Sequence, residues 1–132
     1  MLPRECLDEL RSCWLPNLTD AGLNRLIDML EKGSPFLIHG CFTRSVPMGC
    51  LATHAAWHHP LTAHLTLDAG ITWLHRVAGL NPATSHLIRE WDCRGASDYT
   101  LRAELLDVFR SERAERNLQP AVPIPQPELV EV

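Results

Sequence analysis

The chain has 132 residues, of which 45% are hydrophobic and 21% are charged, and its formal net charge is -4 at pH 7. This length and composition predict one domain with a single core and exclude a wholly disordered chain. The excess of acidic side chains argues against broad attraction to nucleic-acid phosphates or to anionic lipid, although it leaves room for a local basic patch.

Membrane and secretion signals are lacking in the sequence. No apolar run approaches the ~20 residues that a transmembrane helix needs, and the first residues lack the long apolar centre of a signal peptide. The five cysteines are odd in number and irregularly spaced, unlike a disulfide framework. We therefore expect a cytoplasmic protein with reduced thiols and no membrane contact.

Two helices are predicted in the N-terminal third. In residues 4–14, Cys6, Leu10, Cys13 and Trp14 fall on one side, and Pro16 ends the pattern. The second helix begins after the N-cap Thr19 and ends at Gly33, with a regular apolar stripe: Leu23, Leu26, Ile27 and Leu30. The two helices form a hairpin in which Cys6 and Cys13 are expected to pack as small core residues.

The middle of the chain holds the most informative pattern. Residues 36–42 form a short apolar run that is compatible with either an extended segment or a buried loop. A helix is then predicted over residues 48–59, ending at Pro60. On that helix Cys50, His54 and His58 recur every fourth residue and share one face, with Trp57 beside them.

Three more helices are predicted after Pro60. The first runs from Thr66 or Asp68 to residue 78, with an apolar face that also carries His75: Leu67, Ile71, Leu74 and Ala78. The second is capped by Asn81, has Pro82 in its first position and ends at Gly95, with four side chains facing inward: Thr84, Leu87, Ile88 and Trp91.

The last helix is capped by Ser97 or Thr100 and turns its apolar residues inward: Leu101, Leu105, Val108 and Phe109. Its charged end, residues 110–116, is expected to be a solvated face with a Glu112–Arg116 pair. Among the tryptophans, Trp14 and Trp91 are predicted in the core. Trp73 is predicted on a second interface, either with another helix of the chain or with a partner subunit.

The predicted fold is therefore all-α, a compact single-domain bundle of about six short helices over residues 1–118. Residues 119–132 form a proline-rich and presumed flexible tail, because prolines remove donors and favour the polyproline II conformation. Pro120 and Pro123 match the loose P-x-x-P pattern of groove-binding segments, and a solvated tail is the alternative.

A zinc-type site is the sharpest chemical interpretation of the Cys/His segment. Zinc binds thiolate and imidazole, and side chains four apart on a helix can supply two neighbouring ligands. Because Cys50 and His58 lie about 12 Å apart along the axis, only adjacent pairs can share one ion. The predicted site is Cys50 with His54, or His54 with His58, completed by His75, Cys41 or His39. Trp57 and His58 would line the adjoining pocket, and the alternative is that Cys50 and His54 are satisfied interior residues.

Two further hypotheses remain open. Cys50 near a helix start could act as a nucleophile with His54 or His75 as base, which would make the protein a cysteine-dependent enzyme. Residues 71–91 resemble the helix-turn-helix of LacI-type repressors, on the residues Gly79, Leu80 and Asn81 of the turn. That resemblance implies DNA binding with five residues toward the major groove: Pro82, Ala83, Ser85, His86 and Arg89. A plain helical corner with the same punctuation is the alternative.

The chain lacks paired catalytic carboxylates, a phosphate-cradling loop and a dinucleotide fingerprint. We therefore predict a non-enzymatic binding or regulatory protein with a possible zinc site and with a protein partner or a homo-oligomeric state. A helix-turn-helix transcriptional regulator, for which nucleic acid would be the partner, is the first alternative.

Overall fold

The computed structural model describes residues 1–119 of the chain; the proline-rich segment after Gln119 lies outside the described residues. The described part holds six α-helices and one two-stranded sheet, and 58% of the described residues are helical. The helical class is confirmed. The sequence did not predict the sheet, in which Thr43–Ser45 (β1) pairs antiparallel with Met48–Gly49 (β2).

Both helices of the predicted N-terminal hairpin are present, with one irregularity. Helix α1, Arg4–Glu9, continues into a π-helical turn, Leu10–Trp14, and a 3-10 turn, Leu15–Asn17. Helix α2, Asp20–Lys32, is capped by Thr19, whose hydroxyl accepts a hydrogen bond from the Gly22 amide at 3.0 Å. Gly33 ends α2 in the left-handed conformation (φ +64°), as its position predicted.

Residues 36–49 form an irregular segment with short extended pieces, which answers the question that the sequence left open. The Ile38 amide donates to the Gly49 carbonyl, and the Gly49 amide donates to the Phe36 carbonyl, both at 3.0 Å. Leu37 and Ile38 are buried, so the segment closes one side of the core. The carbonyl groups of this segment accept from backbone amides and from side chains: Phe42 accepts from the Cys50 amide, and Ile38 accepts from Trp91 Nε1.

Helix α3, Leu51–Trp57, lies at the centre of the molecule, and residues 51–56 are all buried. It is shorter than the predicted helix, because Cys50 is its N-cap and residues 48–49 belong to β2. Small side chains let α3 approach α4 closely. A Cβ atom added to Gly70 would overlap Thr53, so glycine is required at this crossing.

Helix α4, Ala69–Thr72, is followed by a π-helical turn, Trp73–Val77. A π-helical turn contains one extra residue, which shifts the helical register. Two of the four residues on the predicted apolar face are therefore not buried. Leu74 and Ala78 are buried, but Leu67 and Ile71 are exposed. His75, predicted on the buried face, is exposed as well.

Trp73 is fully buried and packs against Trp14, with ring centroids 5.1 Å apart. Of the two interfaces predicted for Trp73, the structure forms the one within the chain. Trp14 and Trp91 are also fully buried, which confirms that both belong to the core.

Helix α5, His86–Arg94, begins later than predicted because Ser85, and not Asn81, is its N-cap. The Asn81 side chain instead accepts from the Ala83 amide in a local turn at 2.9 Å, and Thr84 is exposed. The inward positions Leu87, Ile88 and Trp91 and the terminal glycine Gly95 agree with the prediction.

Helix α6, Tyr99–Glu115, is capped by Asp98 and not by Ser97 or Thr100. Its buried side follows the prediction at Leu101, Leu105 and Phe109, and Val108 is half-buried.

The charged end of α6 is less solvated than expected. Arg116 binds Glu112 at 2.7 Å, as predicted, but it also binds Asp20 at 2.9 Å and the Leu15 carbonyl at 2.6 Å. Arg110 binds Glu31 of α2. These bonds join α6 to the N-terminal hairpin. Within residues 1–119, none of the helices combines the length and apolar character needed to cross a membrane.

Candidate functional site

Cys50 is held inside the protein by the packing of α3 on the irregular segment. Its side chain is 1% exposed, and its thiol lies 3.8 Å from the hydroxyl of Thr53. That hydroxyl donates to the Phe42 carbonyl at 2.7 Å and therefore accepts from Thr43 at 3.1 Å. Burial raises the pKa of the Cys50 thiol to about 11, so the thiol is protonated at neutral pH.

His54 occupies the next turn of α3 and is 2% exposed. Its Nε2 atom lies 2.8 Å from the Phe36 carbonyl, and since a carbonyl can only accept, Nε2 carries the proton. The ring meets Trp57 edge-on, with centroids 5.2 Å apart. Burial is the largest cause that lowers the pKa of His54 to about 4, so the imidazole is neutral near neutral pH.

The remaining members of the predicted site do not join these two side chains in one pocket. His58 is half-buried, and its Nδ1 atom donates to the His54 carbonyl at 3.0 Å. Trp57 donates to the Leu65 carbonyl at 3.0 Å. His75 and Cys41 are exposed on the surface, whereas Cys50 and His54 are interior. Within residues 1–119, no three His, Cys, Asp or Glu side chains are grouped in a way that could hold a metal ion.

The Cys/His segment therefore serves the backbone of its own fold. His54 supplies a donor to the Phe36 carbonyl, and Thr53 supplies one to the Phe42 carbonyl. Two more hydroxyls act in the same way nearby: Thr62 donates to the Ala56 carbonyl, and Thr19 to the His58 carbonyl. The Cys50 thiol is buried and protonated, whereas reactive cysteines are partly exposed thiolates. The contacts that the structure shows here are structural hydrogen bonds.

The region that resembles a helix-turn-helix has an unexpected partner in Glu9. Residues 78–85 separate the two helical elements, a longer connection than the usual turn of about 3–4 residues. Ser85 is buried, and its hydroxyl donates to Glu9 at 2.6 Å. The carboxylate also accepts from the His86 amide at 2.7 Å and from Trp14 Nε1 at 2.9 Å. The N-terminus of α5, where a phosphate would bind, is thus filled by a carboxylate.

The other residues that the resemblance implicates lie at the surface: Ala83, His86 and Arg89 are exposed, and Pro82 is half-buried. A shallow cleft beside His86 is lined in part by Glu5 and Asp8, together with Glu9. Carboxylates at this position would repel a nucleic-acid backbone. Pro82, Ala83 and Arg89 face a different cleft, which Phe42 and Cys93 also line.

Three large aliphatic side chains that follow α3 in the sequence are exposed. Leu61, Leu67 and Ile71 are 67%, 60% and 43% exposed. We call these three residues the apolar patch. Leu67 precedes α4 by two residues, and Ile71 lies one turn further, so both stand on the outer side of that helix. Sequence reasoning missed this patch because the regular apolar spacing indicated a buried face.

Glu9 is the other residue that sequence reasoning missed. It contacts Ser85 and the first amides of α5 across more than 75 positions of the chain, and no local pattern encodes that contact. The position at which α5 begins could not be predicted without knowledge of this contact.

Comparison with known proteins gave no match. Neither a family model, a curated protein nor a solved structure matched the chain. The functional conclusion therefore depends on the geometry of the described residues.

Proposed function

We propose that this protein is a small, non-enzymatic binding module that self-associates through the apolar patch of Leu61, Leu67 and Ile71. The partner is a second copy of the same chain, and the Cys/His segment is the scaffold that presents the patch. The exposure of three large aliphatic side chains within eleven residues is the observation that carries the proposal.

The surroundings of the patch support a protein partner. Single exposed aliphatic residues are ordinary on protein surfaces, but neighbouring ones favour burial against another apolar surface. Removing such a side chain from water stabilises an interface by roughly 25 cal/mol for each Å² of apolar area. Trp57, half-buried, anchors the loop behind the patch by its bond to the Leu65 carbonyl. The loop is therefore held in place before a partner binds, which reduces the entropic cost of association.

The charge distribution favours a second copy over a charged partner. Within residues 61–75, Asp68 is the sole formal charge when histidines are neutral. A two-fold interface places a surface against itself, so a charged surface would meet its own sign there. A nearly uncharged patch avoids this repulsion although the chain as a whole is acidic.

Sedimentation velocity over a wide range of protein concentration tests the proposal. The wild-type chain is expected to shift from monomer to dimer as concentration rises. Leu67→Glu and Ile71→Glu should each weaken the dimer by at least tenfold, because a carboxylate would be buried without a partner. Tyr99→Glu is the matched control: Tyr99 is 85% exposed at the start of α6, outside the patch, and its replacement should leave association unchanged.

A wild-type chain that stays monomeric at every concentration would overturn the proposal. Equal weakening by Tyr99→Glu and Leu67→Glu would also overturn it, since the contact would then not depend on the patch. The zinc hypothesis is not part of this proposal, because Cys50 and His54 are buried and already bond within the fold.

A further inference from the structure

Two of the five cysteines are exposed, and they lie on elements that the structure joins. Cys41 belongs to the irregular segment before β1, and Cys93 belongs to the last turn of α5. Both are exposed free thiols, whereas Cys6 and Cys50 are buried. The two are 52 positions apart in sequence, so the fold alone brings their elements together.

The segment that carries Cys41 is fixed to the end of α5 by hydrogen bonds at three consecutive residues, 38–40. Trp91 Nε1 donates to the Ile38 carbonyl at 2.8 Å, the Ala96 amide donates to His39 Nδ1 at 2.9 Å, and the Gly40 amide donates to Asp92 Oδ1 at 2.8 Å. Two backbone groups and one side chain of the segment are thus bonded at successive residues, which restricts its movement away from α5.

Each thiol is the direct sequence neighbour of one partner in the Gly40–Asp92 bond. Cys41 follows Gly40, and Cys93 follows Asp92. On the other side of Cys41, Phe42 lines a cleft of about 390 Å³ together with Asp92 and Cys93. Cys93 therefore faces the side of α5 on which the Cys41 segment lies, and not the opposite side of the helix.

We propose that Cys41 and Cys93 form a redox-modification site at which a hydroperoxide converts the two thiols into one disulfide. One thiolate attacks the peroxide oxygen, the O–O bond breaks, and a sulfenic acid and water or an alcohol result. The second thiol then displaces the sulfenic hydroxyl as water and forms the S–S bond. The peroxide gains two electrons, the two sulfurs lose them, and both thiol protons leave in the released water or alcohol.

The bond would close a loop of about 50 residues that includes the second part of the irregular segment, α3 and α4. Cross-links across loops of this length restrict the unfolded chain strongly. The oxidised protein is therefore expected to melt several degrees above the reduced protein. Both α3 and the apolar patch lie inside the loop. Oxidation therefore restrains the part of the chain that presents the patch but leaves the patch itself uncovered.

The test is peptide mapping of the full chain after stepwise addition of hydrogen peroxide to the reduced protein. The expected product is a cross-linked peptide pair containing Cys41 and Cys93, lighter by two hydrogen atoms than the reduced pair and abolished by a reductant. Cys41→Ser and Cys93→Ser should each eliminate the pair and the rise in Tm. Cys13→Ser, at a half-buried thiol of the N-terminal hairpin, is the matched control and should leave both intact.

Cross-links between different molecules, or sulfinic acids that form on the two cysteines independently, would overturn the proposal. The mapping is done on the wild-type chain, so a variant that fails to fold does not affect this outcome. The result is also separate from self-association, because the two exposed cysteines lie outside the apolar patch.

Discussion

Two neighbouring stretches of the chain reverse the usual relation between residue type and location. Residues 50–58 carry the thiol, hydroxyl and imidazole groups, and Cys50, Thr53 and His54 are buried. Residues 61–71 are richer in aliphatic side chains, and Leu61, Leu67 and Ile71 are exposed. The polar groups are inside because each has a partner there, whereas the aliphatic side chains are outside without one.

The difference has a local cause in the hydrogen bonds of α3. The Phe36 and Phe42 carbonyls of the irregular segment each accept a backbone amide, and His54 and Thr53 each add a second donor. A buried hydrogen bond of this kind contributes about 0.5–1.5 kcal/mol to stability. The aliphatic side chains of the apolar patch form no hydrogen bonds, and they are exposed.

The largest expected effect is that of His54→Ala on folding stability. The change removes the bond to the Phe36 carbonyl and the edge contact with Trp57, and it leaves a cavity in the centre of the fold. We expect a loss of about 2–4 kcal/mol in the free energy of unfolding, measured by urea denaturation. His75→Ala, at an exposed histidine, is the control and should change stability by less than about 0.5 kcal/mol.

Urea denaturation with and without zinc shows whether His54 is a structural histidine or a zinc ligand. Addition of zinc should leave the wild-type unfolding midpoint unchanged. A midpoint that rises with zinc in the wild type but not in His54→Ala would mean that His54 binds the metal.

Acid should destabilise the protein through His54. Its pKa falls from the ordinary 6.5 to about 4 in the fold, so the fold favours the neutral ring. This contribution is complete above pH 6.5 and is lost as the pH falls through 4. The loss reaches about 3 kcal/mol at most, because one pKa unit corresponds to about 1.4 kcal/mol.

The measurement is the free energy of unfolding between pH 7 and 4, compared with His54→Gln, which keeps a donor for the Phe36 carbonyl but does not titrate. The wild-type curve should fall more steeply than that of the variant across this range. Parallel curves would show that His54 is not held in its neutral form by the fold.

A smaller effect is expected at Thr53. Thr53→Val keeps the shape of the side chain but removes the donor to the Phe42 carbonyl and the acceptor for Thr43. We expect a loss of about 1–2 kcal/mol by urea denaturation. Thr66→Val, at an exposed threonine, is the control. Equal effects of the two changes would contradict the view that α3 is held by its bonds to residues 36–42.

The smallest expected effect on stability lies in the patch. Leu67→Ala should change the free energy of unfolding by less than about 0.5 kcal/mol, because the side chain is mostly in solvent. The measurement is made at low protein concentration, where the monomer dominates. A loss as large as that of a buried leucine, about 2–5 kcal/mol, would mean that Leu67 belongs to the core.

Much of the fold could be predicted from local signals. Thr19 marks a helix start through its side-chain hydroxyl, and Gly33 and Gly95 mark helix ends through their backbone freedom; each does so in the structure. The buried positions of α2 and α6 follow from regular spacing along uninterrupted helices. These features are predictable because they depend on residues within about one helical turn.

The remaining features depend on contacts that are distant in sequence. The π-helical turn at Trp73–Val77 changes which side of α4 is buried, and it occurs where Trp73 packs on Trp14. The start of α5 depends on Glu9, far away in the chain. For the candidate site, the pattern drew attention to a segment with buried polar side chains. It could not show that the partners of His54 are backbone carbonyls of residues 36–42, and so a metal was the chemistry that the residue types favoured.

Hydrogen exchange at low and high protein concentration compares the two stretches directly. At high concentration, peptides from residues 61–71 should exchange more slowly, because the patch is covered by a second copy. Peptides from α3 should be unchanged, since that helix is already buried within each chain. Exchange in residues 61–71 that is independent of concentration, or slowing confined to other surfaces, would contradict the assignment of the binding surface to the apolar patch.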